Sequence, residues 1–373
     1  MVGHGALRFL QNYPGGAGRL LISITAVDRM HHFTHPTLPA GMPGHSRPRL
    51  PGYRRTPKLI GISEHPICHI RIRRLTGSPS NPAMRYTLCL FLLLQACWLP
   101  AQIIDVHLHG YTDQDYWGGR PHPSGAESPP TAGEHMRQTI ALMDQHDIEY
   151  AVVSGSPEAT AQYVAADPRF IPGYMDDGSL IPVSEFEQLI KEGRIKVFGE
   201  VSGVYRGATL NDSIYQPYLA LCEEYGIPVA YHTGGGPPMT PYRCCPEFRI
   251  SLGDPFLIED VLVRYPRLQL SLMHGGEVFF EHAVRMMTMY LHLYVDLGVL
   301  LWAAPPVQDY AVRLLKLAKQ HGVLDRVMFG SDQMVWPGGI TKSVEFLHSL
   351  DFLTEEEKRM ILYDNARRFL KLE

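Results

Sequence analysis

The stretch Ile103-Ile104-Asp105-Val106-His107-Leu108-His109-Gly110 decides how the rest of the chain is interpreted. Apolar and polar residues alternate along most of it and Gly110 ends it, a pattern that predicts a β-strand. Side chains two residues apart on a strand point to the same side, so His107 and His109 project together, about 6–7 Å apart. Two such imidazoles can bind one metal ion. On this motif alone, a pair of half-buried histidines in an ordinary strand is an equally good interpretation.

The first 83 residues differ in composition from the remainder. They contain 11 Lys/Arg but only two acidic residues, with scattered Pro and Gly. From Met84-Arg85 onward, a basic start is followed by an apolar run (residues 88–94) and a small residue at Ala101. This is the layout of a secretory signal peptide, and the run is too short to span a membrane. We predict that residues 1–83 are a non-native or disordered leader and that residues 84–101 are an export signal.

Within the predicted signal, Leu94-Gln95-Ala96-Cys97 resembles the cleavage site of a lipoprotein, in which Cys97 would become a lipidated N-terminus. Both forms of signal predict an exported protein, periplasmic or secreted. A buried strand or helix that follows an unusual leader is the alternative interpretation.

The predicted mature body, residues 102–373, is strongly acidic. It carries 22 Lys/Arg and 36 Asp/Glu, a net charge of −14. Such a charge argues against nucleic acid as a partner, because nucleic-acid binding depends on Lys and Arg at the phosphates. Its three cysteines include an adjacent pair and form no disulfide framework, so we interpret Cys222, Cys244 and Cys245 as packing residues.

Past residue 102, short apolar runs alternate regularly with helical patterns. Eight strands, each followed by a helix, in under 280 residues match a (β/α)8 TIM barrel in number and size. An open doubly wound sheet is the competing fold, but it normally has fewer strands, and no Gly-x-Gly-x-x-Gly follows a strand here. The predicted strands are 103–109, 150–153, 170–174, 197–201, 228–232, 268–274, 293–297 and 327–330.

A barrel places its chemistry at the C-terminal ends of the strands. Six metal-binding side chains occupy such positions: on strand one His107 and His109, on strands four to six Glu200, His232 and His274, and after strand eight Asp332. Any one of them alone would be weak evidence, because a histidine at a strand end is more often a packing or capping residue. Together, imidazoles and carboxylates without paired cysteines predict a catalytic site for zinc, with manganese or iron as alternatives.

This arrangement of motifs resembles the amidohydrolase superfamily of metal-dependent barrels. Tyr231-His232-Thr233-Gly234 and Met273-His274-Gly275-Gly276 are most similar to its amidohydrolase-related (amidohydrolase 2) branch, which contains hydrolases, lactonases and decarboxylases. The resemblance implies that His107, His109 and Asp332 hold one ion. It also implies that His232 and His274 hold a second ion, or orient water and substrate if there is one, and that Asp332 is the general base.

Glu200 decides between the activities that the resemblance allows. Decarboxylases of the branch generally lack a carboxylate on strand four, whereas two-metal members use one there to bridge the ions. The resemblance therefore favours a metal-dependent hydrolase that cleaves an amide, lactone or ester of a small molecule. There, metal-activated water would attack, with Asp332 as proton acceptor and His232 helping to polarise the substrate. A rim glutamate paired with an arginine is the alternative role for Glu200.

Four loop residues are candidates for binding the substrate. Arg206 and Arg243 follow strands four and five, and each could bind a carboxylate through its planar guanidinium group. Trp117 and Trp336 could line the barrel mouth or pack a lid. Two rival functions stay open: a metal-dependent decarboxylase, and a non-catalytic exported binding protein on the same barrel.

Overall fold

The computed structural model describes residues 102–176 and 178–372, together with the backbone of three strands nearer the N-terminus. These strands form an antiparallel sheet and belong to the unit Met1–Trp98, whereas Leu99–Glu373 is a second unit. Apart from these strands, the predicted leader lies outside the described residues, as do the predicted signal (84–101) and Cys97. The three strands are Leu7–Phe9, Leu21–Val27 and Ile67–Arg73.

The second unit is the predicted (β/α)8 barrel. Each strand pairs in parallel with the next one along the chain. The first and last strands are joined where the Val106 N–H donates to Phe329 O (3.1 Å) and the Asp332 N–H donates to His107 O (2.7 Å). The strands are β1 Ile103–His109, β2 Ile148–Gly155, β3 Phe170–Asp176, β4 Val197–Val201, β5 Val229–His232, β6 Leu270–Met273, β7 Leu293–Asp296 and β8 Val327–Met328.

Helices follow the strands and surround the barrel. Some of them begin with a side-chain cap: Ser156 Oγ accepts from the Ala159 N–H (3.2 Å), and Thr354 forms a capping box with Glu357. The α-helices are α1 Ala132–Gln145, α2 Pro157–Ala166, α3 Val183–Lys191, α4 Gln216–Tyr225, α5 Thr240–Arg243, α6 Glu259–Arg264, α7 Phe280–Met289, α8 Pro305–His321, α9 Gly339–Ser349, α10 Glu355–Arg359 and α11 Asn365–Phe369. Tighter or wider helical turns are Gly203–Arg206, Ile250–Gly253, Pro255–Ile258, His274–Phe279, Leu324–Arg326 and Met360–Asp364.

The barrel interior is apolar below the strand ends. Ala230 and Tyr294 lie two residues before His232 and Asp296, so they point to the same side of the sheet. They belong to one buried cluster with Val152, Val197 and other strand residues, and Ala366 and Phe369 of α11 are part of it. The opposite faces of the strands pack against the helices in a larger cluster. This packing fixes the strands that carry the polar residues at the barrel mouth.

The cysteines only partly follow the sequence interpretation. Cys222 is buried, as a packing residue should be. Cys244 and Cys245 form a disulfide with each other; Cys245 is partly buried and packs against the core, whereas Cys244 is exposed, so the packing interpretation was wrong for Cys244. The two cysteines lie just after α5, and because they are adjacent their disulfide does not connect distant segments of the chain. No helix in the described part of the chain is long and apolar enough to cross a membrane.

Candidate metal centre

All six predicted ligands converge at the C-terminal mouth of the barrel. His107 and His109 come from the end of β1, Glu200 from β4 and His232 from β5. His274 follows β6, and Asp332 lies in the loop after β8. Every one of the six side chains is buried. The convergence follows from the parallel topology, because the carboxyl ends of all eight strands meet on one rim.

Glu200 occupies the middle of this group. One of its oxygens, Oε2, lies 3.4 Å from His109 Nε2 and 3.7 Å from His107 Nε2. The other, Oε1, lies 2.5 Å from His232 Nδ1 and 3.6 Å from His274 Nε2. The two carboxylate oxygens therefore face two different pairs of histidines.

Asp332 completes the half of the site that contains β1. Its Oδ1 lies 2.9 Å from His109 Nε2 and 3.6 Å from His107 Nε2. Ligand atoms bound about 2.1 Å from one ion are separated by roughly 3–3.5 Å in tetrahedral or octahedral geometry. Most of the separations in this half are close to that range.

Three of the histidines have one nitrogen committed to a fixed partner. His232 Nε2 faces the Gly235 carbonyl (2.9 Å), His274 Nδ1 faces the Gly298 carbonyl (3.1 Å) and His107 Nδ1 faces the Asp296 carboxylate (3.3 Å). Because a carbonyl can only accept, it requires the proton on the nitrogen facing it. The other nitrogen of each ring, His232 Nδ1, His274 Nε2 and His107 Nε2, points to the centre of the site, as in metal-binding histidines.

The residues present fit a bound cation. His107 Nε2 and Asp332 Oδ1 are buried and have no hydrogen-bond partner. His232 Nδ1 and Glu200 Oε1, 2.5 Å apart, would repel each other if both offered only lone pairs. A positive charge between such atoms, a proton or a metal ion, resolves both problems. Within the described part of the chain, three sets of ligand atoms could each hold an ion, and two of them share Glu200: His107, His109 and Glu200; Glu200, His232 and His274; His107, His274 and Asp332.

The electrostatics of the site show the same demand for positive charge. Burial opposes ionisation of Glu200, but the imidazoles of His107, His232 and His274 that face its two oxygens outweigh it and hold the pKa of this carboxyl well below its usual range. Burial disfavours the charged form of His274, but Glu200 and Asp332 raise its pKa to about 9. The charges on His107 and His109 likewise lower the pKa of Asp332 in spite of its burial, so both carboxylates remain ionised, and their field favours a divalent cation.

Asp296, at the end of β7, supports the ligands and was missed in the sequence. Its Oδ1 accepts from the His274 N–H (3.1 Å) and the Gly298 N–H (2.9 Å), while its carboxylate faces His107 Nδ1. It therefore orients two ligands at once. Its place at the end of an apolar strand, Leu293-Tyr294-Val295-Asp296, was the signal that could have revealed it.

Two further residues hold β1 in position. Asp105 Oδ1 accepts from the His107 N–H and the Ser331 N–H, both at 3.0 Å, and burial raises the pKa of this carboxyl to about 6. The Gln333 amide bonds both the His109 N–H (3.0 Å) and the His109 carbonyl (3.1 Å). These contacts hold β1 against the loop after β8, so they fix the distance between the two histidines of β1 and Asp332.

Gly298 shows how tightly the site is packed. A Cβ at this position would lie 2.4 Å from His107 Nδ1 and 3.0 Å from Asp332 Cβ. A side chain here would displace the ligand, so the close approach of the backbone requires glycine.

The four predicted substrate residues lie in different surroundings. Arg206 Nη2 is 2.5 Å from Asp176 Oδ2 and 3.3 Å from Tyr215 OH, so a substrate carboxylate would have to compete with Asp176. Arg243 is exposed at the end of α5. Trp117 and Trp336 meet edge to face, with ring centroids 5.1 Å apart. Substrate binding by these four residues stays a prediction.

Comparison with known proteins identifies the family. The family model described as Amidohydrolase matches residues 104–372. The chain belongs to the amidohydrolase family. Members of this superfamily are enzymes, and the buried histidines and carboxylates of this amidohydrolase form a plausible site for a divalent metal. Among curated proteins, none matches the chain.

Several solved structures share the barrel of this amidohydrolase. An uncharacterised TIM-barrel protein from Bordetella bronchiseptica is 22% identical, with a TM-score of 0.55 over 72% of this chain and 98% of that one. A probable 2-pyrone-4,6-dicarboxylic acid hydrolase from Acinetobacter baumannii is 16% identical, with a TM-score of 0.52 over 73% and 100%. A 5-carboxyvanillate decarboxylase from Novosphingobium aromaticivorans, complexed with manganese, is 17% identical, with a TM-score of 0.51 over 73% and 96%. At these identities the likeness shows the fold.

Proposed function

We propose that this amidohydrolase is a metal-dependent hydrolase that holds two divalent ions and cleaves an amide, lactone or ester bond of a small molecule. The observation that carries the proposal is the position of Glu200, whose two oxygens face different pairs of histidines. A carboxylate shared between two sets of ligands is suited to bridging two ions. We propose zinc as the metal, with manganese or iron as alternatives for the same nitrogen and oxygen ligands.

The residues divide into two half-sites under this proposal. His107, His109 and Asp332 would hold one ion, and His232 and His274 would hold the other, with Glu200 available to both. A bound divalent ion lowers the pKa of a coordinated water from 15.7 to roughly 7 and polarises a carbonyl oxygen. Because His232 Nε2 is committed to the Gly235 carbonyl, its free nitrogen faces the ligand cluster. The geometry therefore supports His232 as a ligand better than as a donor to the substrate.

Asp332 is the residue suited to moving protons. Its Oδ1 is buried at the barrel mouth without a hydrogen-bond donor, although His109 Nε2 lies 2.9 Å away. Burial opposes ionisation of Asp332, but the charges on His107 and His109 outweigh it and lower the pKa. The carboxylate is thus ionised at neutral pH. It can accept a proton from the attacking water and pass it to the leaving group.

The experiment that tests this function uses the purified chain reconstituted with zinc or manganese and screened against lactones, amides and esters. Carbon dioxide release from carboxylated aromatic compounds is measured in parallel. We expect hydrolysis that depends on the metal, and a turnover 10²–10⁴-fold lower in Asp332→Asn, typical of a lost proton-transfer group. Release of carbon dioxide without hydrolysis would instead establish the decarboxylase. Absence of bound metal would overturn the proposal and favour the binding protein.

A further inference from the structure

Glu277 lies outside the ligand set, on a segment with unusual backbone geometry. The chain from His274 to Glu277 has four consecutive residues with positive φ: 59°, 53°, 80° and 45°. Two of them are Gly275 and Gly276, for which this geometry is accessible. Glu277 has φ 45° and ψ −112°, which L residues rarely adopt, so surrounding contacts must hold it there.

The contact that holds Glu277 is with the loop after β5. Glu277 Oε2 accepts a hydrogen bond from the Gly235 N–H. The carboxylate sits directly against the glycine backbone, because a Cβ on Gly235 would lie 2.7 Å from Glu277 Oε2 and a Cβ on Gly234 would lie 2.5 Å from Glu277 Cβ. This contact joins the loop after β6 to the loop after β5.

Gly235 is also the residue that fixes the ring of His232. Its carbonyl accepts from His232 Nε2 at 2.9 Å, which leaves Nδ1 to face Glu200 Oε1 and, at 3.1 Å, His274 Nε2. The Gly235 N–H is held by Glu277, and the Gly235 carbonyl holds His232. If this loop moved, the ring of His232 would lose the acceptor that sets its tautomer.

We propose that Glu277 is a positioning residue for the half-site formed by His232 and His274. It seats the loop after β5 so that the Gly235 carbonyl keeps the proton of His232 on Nε2 and directs Nδ1 to the metal. The inference rests on the proposed metal centre, but the contacts from Glu277 to Gly235 and from Gly235 to His232 are present in the metal-free protein as well. Among the described residues, no hydrogen bond or ion pair of His107, His109 or Asp332, which form the other half-site, involves Glu277.

The test measures the His232 ring directly. The full chain, with ¹⁵N-labelled histidine and without metal, is used to follow the Nε2–H signal, which is assigned by its loss in His232→Gln. We expect a signal protected from solvent exchange in the wild type and in Glu277→Gln, whose amide oxygen can still accept from the Gly235 N–H. In Glu277→Ala, and in Glu277→Asp, whose shorter chain does not reach Gly235, the protection should be lost.

Metal titration supplies the second readout. Loss of a residue that supports a ligand typically lowers metal affinity 10–100-fold. We expect such a loss for one ion in Glu277→Ala, with the affinity for the other ion unchanged. Glu281→Ala, which removes an exposed acid from α7, is the control and should match the wild type. If Glu277→Ala does not fold, Glu277→Asp decides.

Unchanged Nε2–H protection and unchanged affinity for both ions in Glu277→Ala and Glu277→Asp would overturn the inference. A wild-type protein that binds no metal would refute the proposed function, but protection that depends on Glu277 would still support its positioning of His232. Failure of the two proposals is therefore distinguishable.

Discussion

At the scale of single residues, the partner of one ring nitrogen determines how a histidine presents its other nitrogen to the site. His107, buried in β1, has the Asp296 carboxylate 3.3 Å from Nδ1, which leaves Nε2 without a hydrogen-bond partner. A carboxylate behind a ligating imidazole fixes its tautomer and makes it a stronger ligand. His107 therefore combines a prepared donor atom with a supporting acid, an arrangement typical of a metal ligand rather than of a histidine that only packs.

We predict that His107→Ala loses metal and activity while the barrel stays folded. The change removes a ligand, so metal affinity should fall by more than the 10–100-fold typical of residues that only support a ligand. Elemental analysis, turnover and far-ultraviolet circular dichroism of the purified variant measure these three properties. His292→Ala, at an exposed position before β7, is the control and should keep its metal. Full metal content and full turnover in His107→Ala would show that β1 is not part of the site.

The convergence of the six predicted ligands was predictable from the sequence because each one lies at or shortly after the C-terminal end of a strand. Once an apolar run such as 228–232 was assigned to a strand, its last residue, His232, was placed on the rim by topology alone. Asp296 ends its strand in the same way but was not included. Its contacts with His107 and His274 join residues from three different strands, and such contacts depend on packing that the sequence does not show.

At the scale of elements, helix α1 anchors the loop that follows β8. His135, buried in α1, has Nε2 2.7 Å from the Met334 carbonyl and Nδ1 2.9 Å from Tyr163 OH. Met334 lies two residues after Asp332, and its φ of 46° is unusual for a residue with a side chain. The neutral imidazole thus connects α1 to the segment that carries the proposed general base. Burial lowers the pKa of His135 to about 4.

We predict that His135 makes the stability of the metal-free protein depend on pH. Its pKa is about 4 in the folded chain but 6.5 for the free side chain, so only the unfolded chain takes up a proton between these values. The folded protein therefore keeps its full free energy of unfolding, as far as His135 is concerned, above pH 6.5, and it loses part of it as the pH falls towards 4. The loss at pH 5 relative to pH 7.5 should be about 2 kcal/mol.

Urea unfolding at pH 7.5 and pH 5, with a chelator present, measures this dependence. In His135→Gln the side chain does not titrate, so the variant should lose less of its unfolding free energy than the wild type between the two pH values. The difference between the wild type and the variant in this loss of unfolding free energy gives the contribution of His135 alone, because the other titrating groups are the same in both proteins. Equal losses in both proteins would contradict the buried, neutral state of His135.

The boundaries of the elements were predicted less well where local geometry is irregular. Strand 197–201 matches β4, and strand 103–109 matches β1. The predicted strand 268–274 ends at Met273 and helix α7 begins only at Phe280, because the residues between them, His274 to Glu277, have positive φ angles. Gly275 and Gly276 indicate positive φ angles in the sequence itself. The positive φ of Glu277 was not predictable, because it depends on the contact of Glu277 with Gly235.

At the scale of the whole molecule, the barrel accounts for residues from Gln102 to the end of the described chain. Gln102 is exposed, and the next residue, Ile103, is buried at the start of β1. A cut directly before Gln102 would therefore leave every strand of the barrel intact. The order of eight strands and the position of the site were both predictable because parallel alternation admits few topologies.

We predict that the protein recovered from its natural host is exported and begins near Gln102, or at a lipidated Cys97. The reason is the sequence of basic, apolar and small residues from Met84 to Ala101. Intact mass spectrometry gives the start of the mature chain. Expression from Met1 and from Met84 should yield the same mature mass. A cytoplasmic product that retains residues 1–83 would contradict this prediction.

The central claim is that Glu200, which lies between two pairs of histidines, bridges two metal ions, and metal stoichiometry tests this claim most directly. The wild-type protein should bind about two ions, and Glu200→Gln about one, because the amide is a poor bridge between cations. Glu281→Gln, which makes the same change at an exposed position on α7, should retain about two. A wild-type stoichiometry of one that Glu200→Gln leaves unchanged would contradict the two-metal hydrolase.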